Sequence, residues 1–298
     1  MDLGEDVPER DALAGKGTGP HWTSLVLIAL AAILVAVLFA KVVLHWPDGG
    51  KYPLLGHDHD DLMIADAPNA SRTLAVMFVG NSLTFVNDLP AMLVNIASSD
   101  PGATTRLQVK AVTYPDATLD QLRTRTGALA WAQSHHVDDV VLQEHSYWYE
   151  DPGEYQLTLQ SAKAWVDALR PTGATSVLFQ VWADGDGSEV YTDQQYPTFG
   201  SNSGRDSQNA VGSTQSLALG VGADVAPVGQ AFEAARQTPG APDVWGPDRH
   251  HPSLAGSYLA ALVFYRYLTG RSGAEATWRP GGLSAEDAAT LVRVAAAR

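Results

Sequence analysis

From Thr73 onward, short apolar runs bounded by turn residues alternate with longer stretches whose apolar positions recur at helical spacing. The apolar runs predict strands over Thr73–Val79, Leu107–Val112, Val137–Gln143, Ser176–Trp182 and Asp224–Pro227. Helices are expected between them, at Leu89–Ser98, Leu119–Ser134, Glu154–Arg170, Ser207–Leu219 and Gln230–Gln237. A further helix is expected to open at Pro252, which suits a first turn. It carries Leu254, Tyr258, Leu262 and Tyr265 on one face and ends at Gly270. A last helix starts at Ser284, with Asp287 placed for a capping-box-like pair. Strands and helices that alternate in this way predict an α/β fold with a parallel sheet covered on both faces.

The pattern changes towards the N-terminus. Trp22 to Leu44 is almost wholly apolar, and Leu25 through Ala40 runs without a polar residue. Such a stretch is long enough to span a bilayer as a helix, with Trp22 and Trp46 as interfacial aromatics and Lys41 reaching the headgroups. The expected organisation is an acidic tail (1–21), a transmembrane helix (22–46), a Pro-, Gly- and Asp-rich linker (47–72) and an α/β domain (73–298). A cleaved signal peptide fits less well, because the leader is long and acidic and lacks a small-x-small cleavage site. Basic residues tie across the segment: Arg10 and Lys16 before it, Lys41 and Lys51 near and after its end. A single-pass anchor with the domain outside the cytoplasm is expected by analogy, not from the charges. In the linker, His57-Asp58-His59-Asp60-Asp61 reads as a solvated polar stretch ahead of a metal cluster, since a metal site needs a folded scaffold.

Composition narrows the partners. A net charge of −14 argues against nucleic acid and against docking on anionic lipid through surface charge. With no cysteine there are no disulfides, no thiol catalysis and no cysteine-ligated zinc. Neither a metal nor another cofactor is expected.

Two short motifs at opposite ends of the α/β pattern carry the chemistry. The first is Gly80-Asn81-Ser82-Leu83-Thr84, which follows the strand Leu74–Val79 and puts Ser82 at the start of a helix. A hydroxyl so placed is exposed, and its own N–H faces bound substrate. The second is Asp248-Arg249-His250-His251-Pro252. Asp248 and His251 are spaced so that the carboxylate holds one imidazole nitrogen while the other faces Ser82. Each motif alone is weak, because a serine after a strand-end glycine is usually just a helix cap. In this order and context they support one another. His250 is the nearest competitor for the base, while His145 and the pair His135-His136 read as surface or packing residues.

On these motifs the chain resembles the SGNH, or GDSL-like, serine hydrolases over roughly Thr73 to Gly270. The resemblance implies a flavodoxin-like three-layer α/β/α sandwich, acyl-ester hydrolysis and no metal. It also implies an oxyanion hole built from the nucleophile N–H, a glycine N–H and an asparagine side chain. This sequence departs from that set. Tyr114-Pro115-Asp116-Ala117 holds no glycine, so Asp116, which tolerates a left-handed backbone, is the best match. Gln143 stands where asparagine is usual. Asn81, Tyr147 and Trp182 are candidate substrate contacts, with core or rim roles as the alternative for the two aromatics. Asp184-Gly185-Asp186-Gly187 hints at calcium but lacks the full loop spacing, so Ala183 to Gly204 reads as a loop over the site. The expected partner is an ester or acylated glycan. An O-acyltransferase using the same triad on envelope glycans and a catalytically inactive carbohydrate-binding module are the alternatives.

Overall fold

The computed structural model describes residues 62–192 and 202–298. The expected tail, the membrane segment 22–46, the His57–Asp61 cluster and the middle of the 183–204 loop lie outside these residues. Among the described residues no helix is long and apolar enough to cross a membrane.

Six strands form one sheet in the order β1-β3-β2-β4-β5-β6. They are β1 (Met63–Ile64), β2 (Arg72–Gly80), β3 (Thr105–Thr113), β4 (Asp139–Leu142), β5 (Thr175–Phe179) and β6 (Asp224–Ala226). All neighbours pair in parallel except β1, which runs antiparallel to β3 with Met63 opposite Val109. The five parallel strands correspond to the five expected runs, and their order is that of flavodoxin-like sheets. Met63–Ile64 falls in the stretch read as linker. Ala65 and Ala67 are buried there, so the chain is packed onto the sheet well before β2 begins.

The helices are α1 (Ser82–Phe85), α2 (Leu89–Ser99), α3 (Leu119–Arg125), α4 (Ala128–Ser134), α5 (Pro152–Leu169), α6 (Ser203–Val221), α7 (Val228–Gln237), α8 (Leu254–Thr269) and α9 (Ala285–Ala296). The helix expected over Leu119–Ser134 is thus two. Thr126 breaks it by turning its hydroxyl back to the Leu122 carbonyl while accepting the Ala128 N–H. α3 to α6 lie in the connections between the parallel strands β3 to β6, while α2 packs against α8, which follows the last strand. α8 is the most deeply buried helix, and its Phe264 meets Phe78 of β2 and Phe179 of β5 edge to face, with ring centroids 4.9 and 5.0 Å apart. Trp165 of α5 donates its indole N–H to the Leu119 carbonyl at the start of α3.

α8 begins two residues later than expected. Ser253 is its N-cap, accepting the Gly256 N–H, and Pro252 lies outside the first turn, bridged to Trp245. Gly256 allows this docking, because a Cβ there would stand 2.0 Å from the Val244 carbonyl oxygen. The C-terminal helix is capped as expected: Ser284 accepts the Asp287 N–H at 3.0 Å and donates its hydroxyl to the Asp287 carboxylate at 2.7 Å.

Candidate active site

The chain leaves β2 for β3 on one side and returns to β4 on the other, so the carboxyl ends of β2 and β4 flank the topological switch point where open α/β sheets bind ligands. Ser82 follows β2 at that point, and the segment Gln143 to Tyr147 follows β4.

The nucleophile turn is locked from below by Gln143, which is fully buried. Its side-chain oxygen accepts the Asn81 backbone N–H at 2.8 Å and the Thr84 hydroxyl at 2.9 Å. Its amide nitrogen donates to the Asn81 side-chain oxygen at 2.9 Å and to the Glu144 carbonyl. Because the Asn81 N–H can only donate, the amide orientation is fixed. Both carboxamide hydrogens are therefore spent on the scaffold, and the expected role of Gln143 as an oxyanion donor is corrected to that of a pin. Gly80 owes its place to this pin: a Cβ there would lie 2.6 Å from the Gln143 oxygen and 2.5 Å from the Thr84 hydroxyl. Asn81 is buried as well. It caps α1 through the Leu83 N–H at 3.2 Å and donates to the Ala117 carbonyl at 3.3 Å, so it holds the turn in place of the substrate contact expected of it.

Above the pin, the Ser82 Oγ lies 2.9 Å from His251 Nε2, and His251 Nδ1 lies 2.7 Å from Asp248 Oδ2. The structure thus brings together the three residues expected from the two distant motifs. Asp248 Oδ1 also accepts the N–H groups of His250 and His251, at 3.1 and 2.9 Å. Burial alone would push the Asp248 carboxyl up, but the His251 ring and these two N–H donors outweigh it and hold it well below the usual carboxylate range. An ionised Asp248 keeps a proton on His251 Nδ1, which leaves Nε2 free to take the Ser82 proton. The loop that carries these residues is pinned by its own backbone, with Gly246 donating to the His251 carbonyl at 2.7 Å and Ser253 to the Val244 carbonyl at 3.0 Å. Asn87 ties it to α8 by donating to the Pro252 carbonyl and to the Ser257 hydroxyl.

Asp116 adopts the left-handed backbone anticipated for it, with φ 53°, in a turn closed by the Ala117 N–H on the Tyr114 carbonyl. Among the described residues neither its N–H nor that of Ser82 has an acceptor. Trp182 is buried, stacked on Phe232 at 4.1 Å, and donates to the His250 carbonyl at 2.9 Å. It belongs to the core beneath the site, which corrects its reading as a substrate wall. Tyr147 is half-buried beside the site, and its hydroxyl donates to Asp184.

Two residues with chemistry were misjudged or missed. His250, read as the lesser histidine, has its Nδ1 2.8 Å from Asp184 Oδ1 and its Nε2 3.0 Å from the Ser146 hydroxyl. Asp184, read as part of a loop, is a buried hub that also accepts from Ser188 at 2.6 Å. The one available signal was the doubled histidine. The other histidines among the described residues stand apart from both serines: His135 stacks on Trp131, His136 pairs with Asp138, and His145 rests on Glu144. Burial alone would lower the His145 imidazole, but Glu144 and Glu154 together raise it. Among the described residues no cluster of three or more His, Asp or Glu side chains is arranged to hold a metal ion.

No protein family profile matches the chain, and no curated protein matches it. Solved structures do. A DUF4886 family protein from Bacteroides uniformis is 17% identical with a TM-score of 0.61, over 76% of this chain and 94% of that one. A candidate SGNH hydrolase from Slackia heliotrinireducens is 25% identical with a TM-score of 0.53, over 66% and 99%. A candidate GDSL-like lipase from Parabacteroides merdae is 18% identical with a TM-score of 0.50, over 68% and 98%. The fold is that of SGNH hydrolases, a mixed α/β architecture around a mostly parallel sheet.

Proposed function

We propose that the protein is a serine ester hydrolase that cleaves acyl esters, acetyl or other short-chain groups foremost, through a covalent acyl-enzyme. The observation that carries this reading is the unbroken hydrogen-bonded chain from Ser82 through His251 to Asp248 at the sheet's switch point.

In the acylation step the Ser82 oxygen attacks the ester carbonyl carbon as His251 Nε2 takes its proton. The imidazolium that forms is stabilised by the ionised Asp248. The tetrahedral oxyanion is received by the N–H groups of Ser82 and Asp116, which have no other acceptor among the described residues. As the intermediate collapses, His251 passes its proton to the departing alkoxide. Water then attacks the acyl-enzyme, giving its proton to His251, and Ser82 is regenerated as the acid leaves. A half-exposed Asp248 and a Ser82 partly open to solvent suit a shallow site at the domain surface, and this favours a small ester or an acylated glycan over a long acyl chain. With the apolar segment 22–46 as an anchor, the domain would work at a membrane, on the extracytoplasmic side.

The test is hydrolysis of p-nitrophenyl acetate by the full chain and by Ser82→Ala. The expected result is a fall in kcat of at least about 10³-fold, because the nucleophile acts as a unit with its base. Equal rates in the two proteins would refute the reading.

A further inference from the structure

A second serine–histidine–aspartate array stands beside the first and shares no side chain with it. Ser146 Oγ lies 3.0 Å from His250 Nε2, and His250 Nδ1 lies 2.8 Å from Asp184 Oδ1. The corresponding distances in the first array are 2.9 and 2.7 Å. We propose that Ser146 is a second nucleophile, activated by His250 and Asp184, that is acylated in a single step independently of Ser82 without contributing to turnover.

Hydrogen-bond direction supports this assignment. The Tyr147 hydroxyl donates to Asp184, 3.1 Å from each carboxylate oxygen, while its oxygen lies 2.9 Å from His250 Nδ1 as a second acceptor, and the Ser188 hydroxyl donates to the same carboxylate. A carboxylate can only accept, so the His250 nitrogen facing it carries the ring proton. Nε2 is then the basic nitrogen, and the hydrogen between it and Ser146 comes from the serine. The tautomer and the donor are those a nucleophilic serine requires.

The backbone is bent to make this contact. Tyr147, next to Ser146, has φ 68°, and Arg249, next to His250, has φ 60°. Both are bulky residues in the left-handed region, where such residues rarely sit unless their surroundings impose it. The turn at Arg249 sends consecutive histidines to different serines, with their rings edge to face and centroids 4.9 Å apart. The Arg249 carbonyl is held by the Gly185 N–H at 2.7 Å, and the His250 carbonyl by the Trp182 indole at 2.9 Å. Ser146 and Ser82 are both partly open to solvent, so an electrophile can reach either.

The step mirrors ordinary acyl transfer. Ser146 Oγ bonds to the acyl carbon, its proton passes to His250 Nε2, and the ester's alkoxide leaves with that proton.

The experiment treats the full chain with a fluorophosphonate, which forms a P–O bond to an activated serine and releases fluoride. Adducts are mapped by peptide mass spectrometry in the wild type, Ser82→Ala and Ser82→Ala/His250→Gln. An adduct on Ser146 in Ser82→Ala, falling at least tenfold with His250→Gln, is the expected result. Ser82→Ala/Ser146→Ala, which removes one hydroxyl and no buried charge, should lose that adduct as a folding-neutral control. A labelled Ser82 in the wild type with no adduct on Ser146 in any protein overturns the proposal and leaves the Ser82 reading intact. Label on Ser146 alone supports it and counts against Ser82.

Discussion

The two serine–histidine–aspartate arrays have nearly the same geometry but opposite settings. In the first, Asp248 is 48% exposed and held by a histidine three residues along the chain. In the second, Asp184 is 2% exposed and gathers His250, Tyr147 and Ser188 from three separate segments. Asp248 can move or be replaced without opening the core, so its chief effect is on the histidine. Asp184 cross-links the loops after β4, β5 and α7, and its removal takes the carboxylate acceptor from one buried and two half-buried donors. Distances alone do not distinguish a carboxylate that serves chemistry from one that also holds the fold. Burial and the number of donors do.

The largest separation should come from the first histidine. His251→Ala is expected to lower kcat on p-nitrophenyl acetate by about 10⁴-fold or more, with a melting temperature close to that of the wild type, since the ring is partly exposed. A small kinetic loss would break the comparison. The carboxylates come next. Asp248→Asn should cost about 10²- to 10⁴-fold in kcat and little stability, whereas Asp184→Ala should cost about 3 kcal/mol in a denaturant melt. Reversed effects would mean that the roles have been exchanged.

Gln143 sharpens the contrast between scaffold and site. Gln143→Ala strands the Asn81 N–H and the Thr84 hydroxyl, so about 2–4 kcal/mol of stability should be lost, and activity with it. An oxyanion donor would instead lose rate with stability preserved, and the denaturant midpoint separates the two.

The smallest effect lies at the opposite end of the sheet. Burial, then the neighbouring Asp138 and Asp224, raise the Asp139 carboxyl from 3.8 to about 6. The folded protein therefore holds this proton more tightly than the unfolded chain, and the associated stability is lost as pH rises through 6. Asp139→Asn should be more stable than the wild type by about 1 kcal/mol at pH 7.5, allowing for solvent screening, and should show no such gain at pH 4. Melts at the two pH values check the sign.

The parts legible in the sequence were those set by local pattern. Five strands were visible because buried parallel strands read as apolar runs, and the triad was visible because Asp248-x-x-His251 is a local spacing and Ser82 follows a strand. β1 was invisible because two residues carry no period, and its pairing with β3 is wholly tertiary. Gln143 was misread for a related reason. Residue type gives it a donor, but only the Asn81 backbone, 62 positions away, decides that the donor is already used. The Ser146–His250–Asp184 array joins residues 104 and 66 positions apart and leaves no motif behind. Trp182 could not be placed from its type, because an indole with one polar tip suits a site wall and a core equally well until its stacking on Phe232 is seen.

Trapping the acyl-enzyme tests the role of Ser82 without intermediary. The full chain would be mixed with p-nitrophenyl acetate, quenched in acid within the first turnover, digested and mapped. An acetyl group is expected on the peptide containing Ser82, absent from Ser82→Ala and formed far more slowly in His251→Ala. Turnover that continues in Ser82→Ala, with no acetyl group on residue 82 of the wild type at any time, would contradict that role.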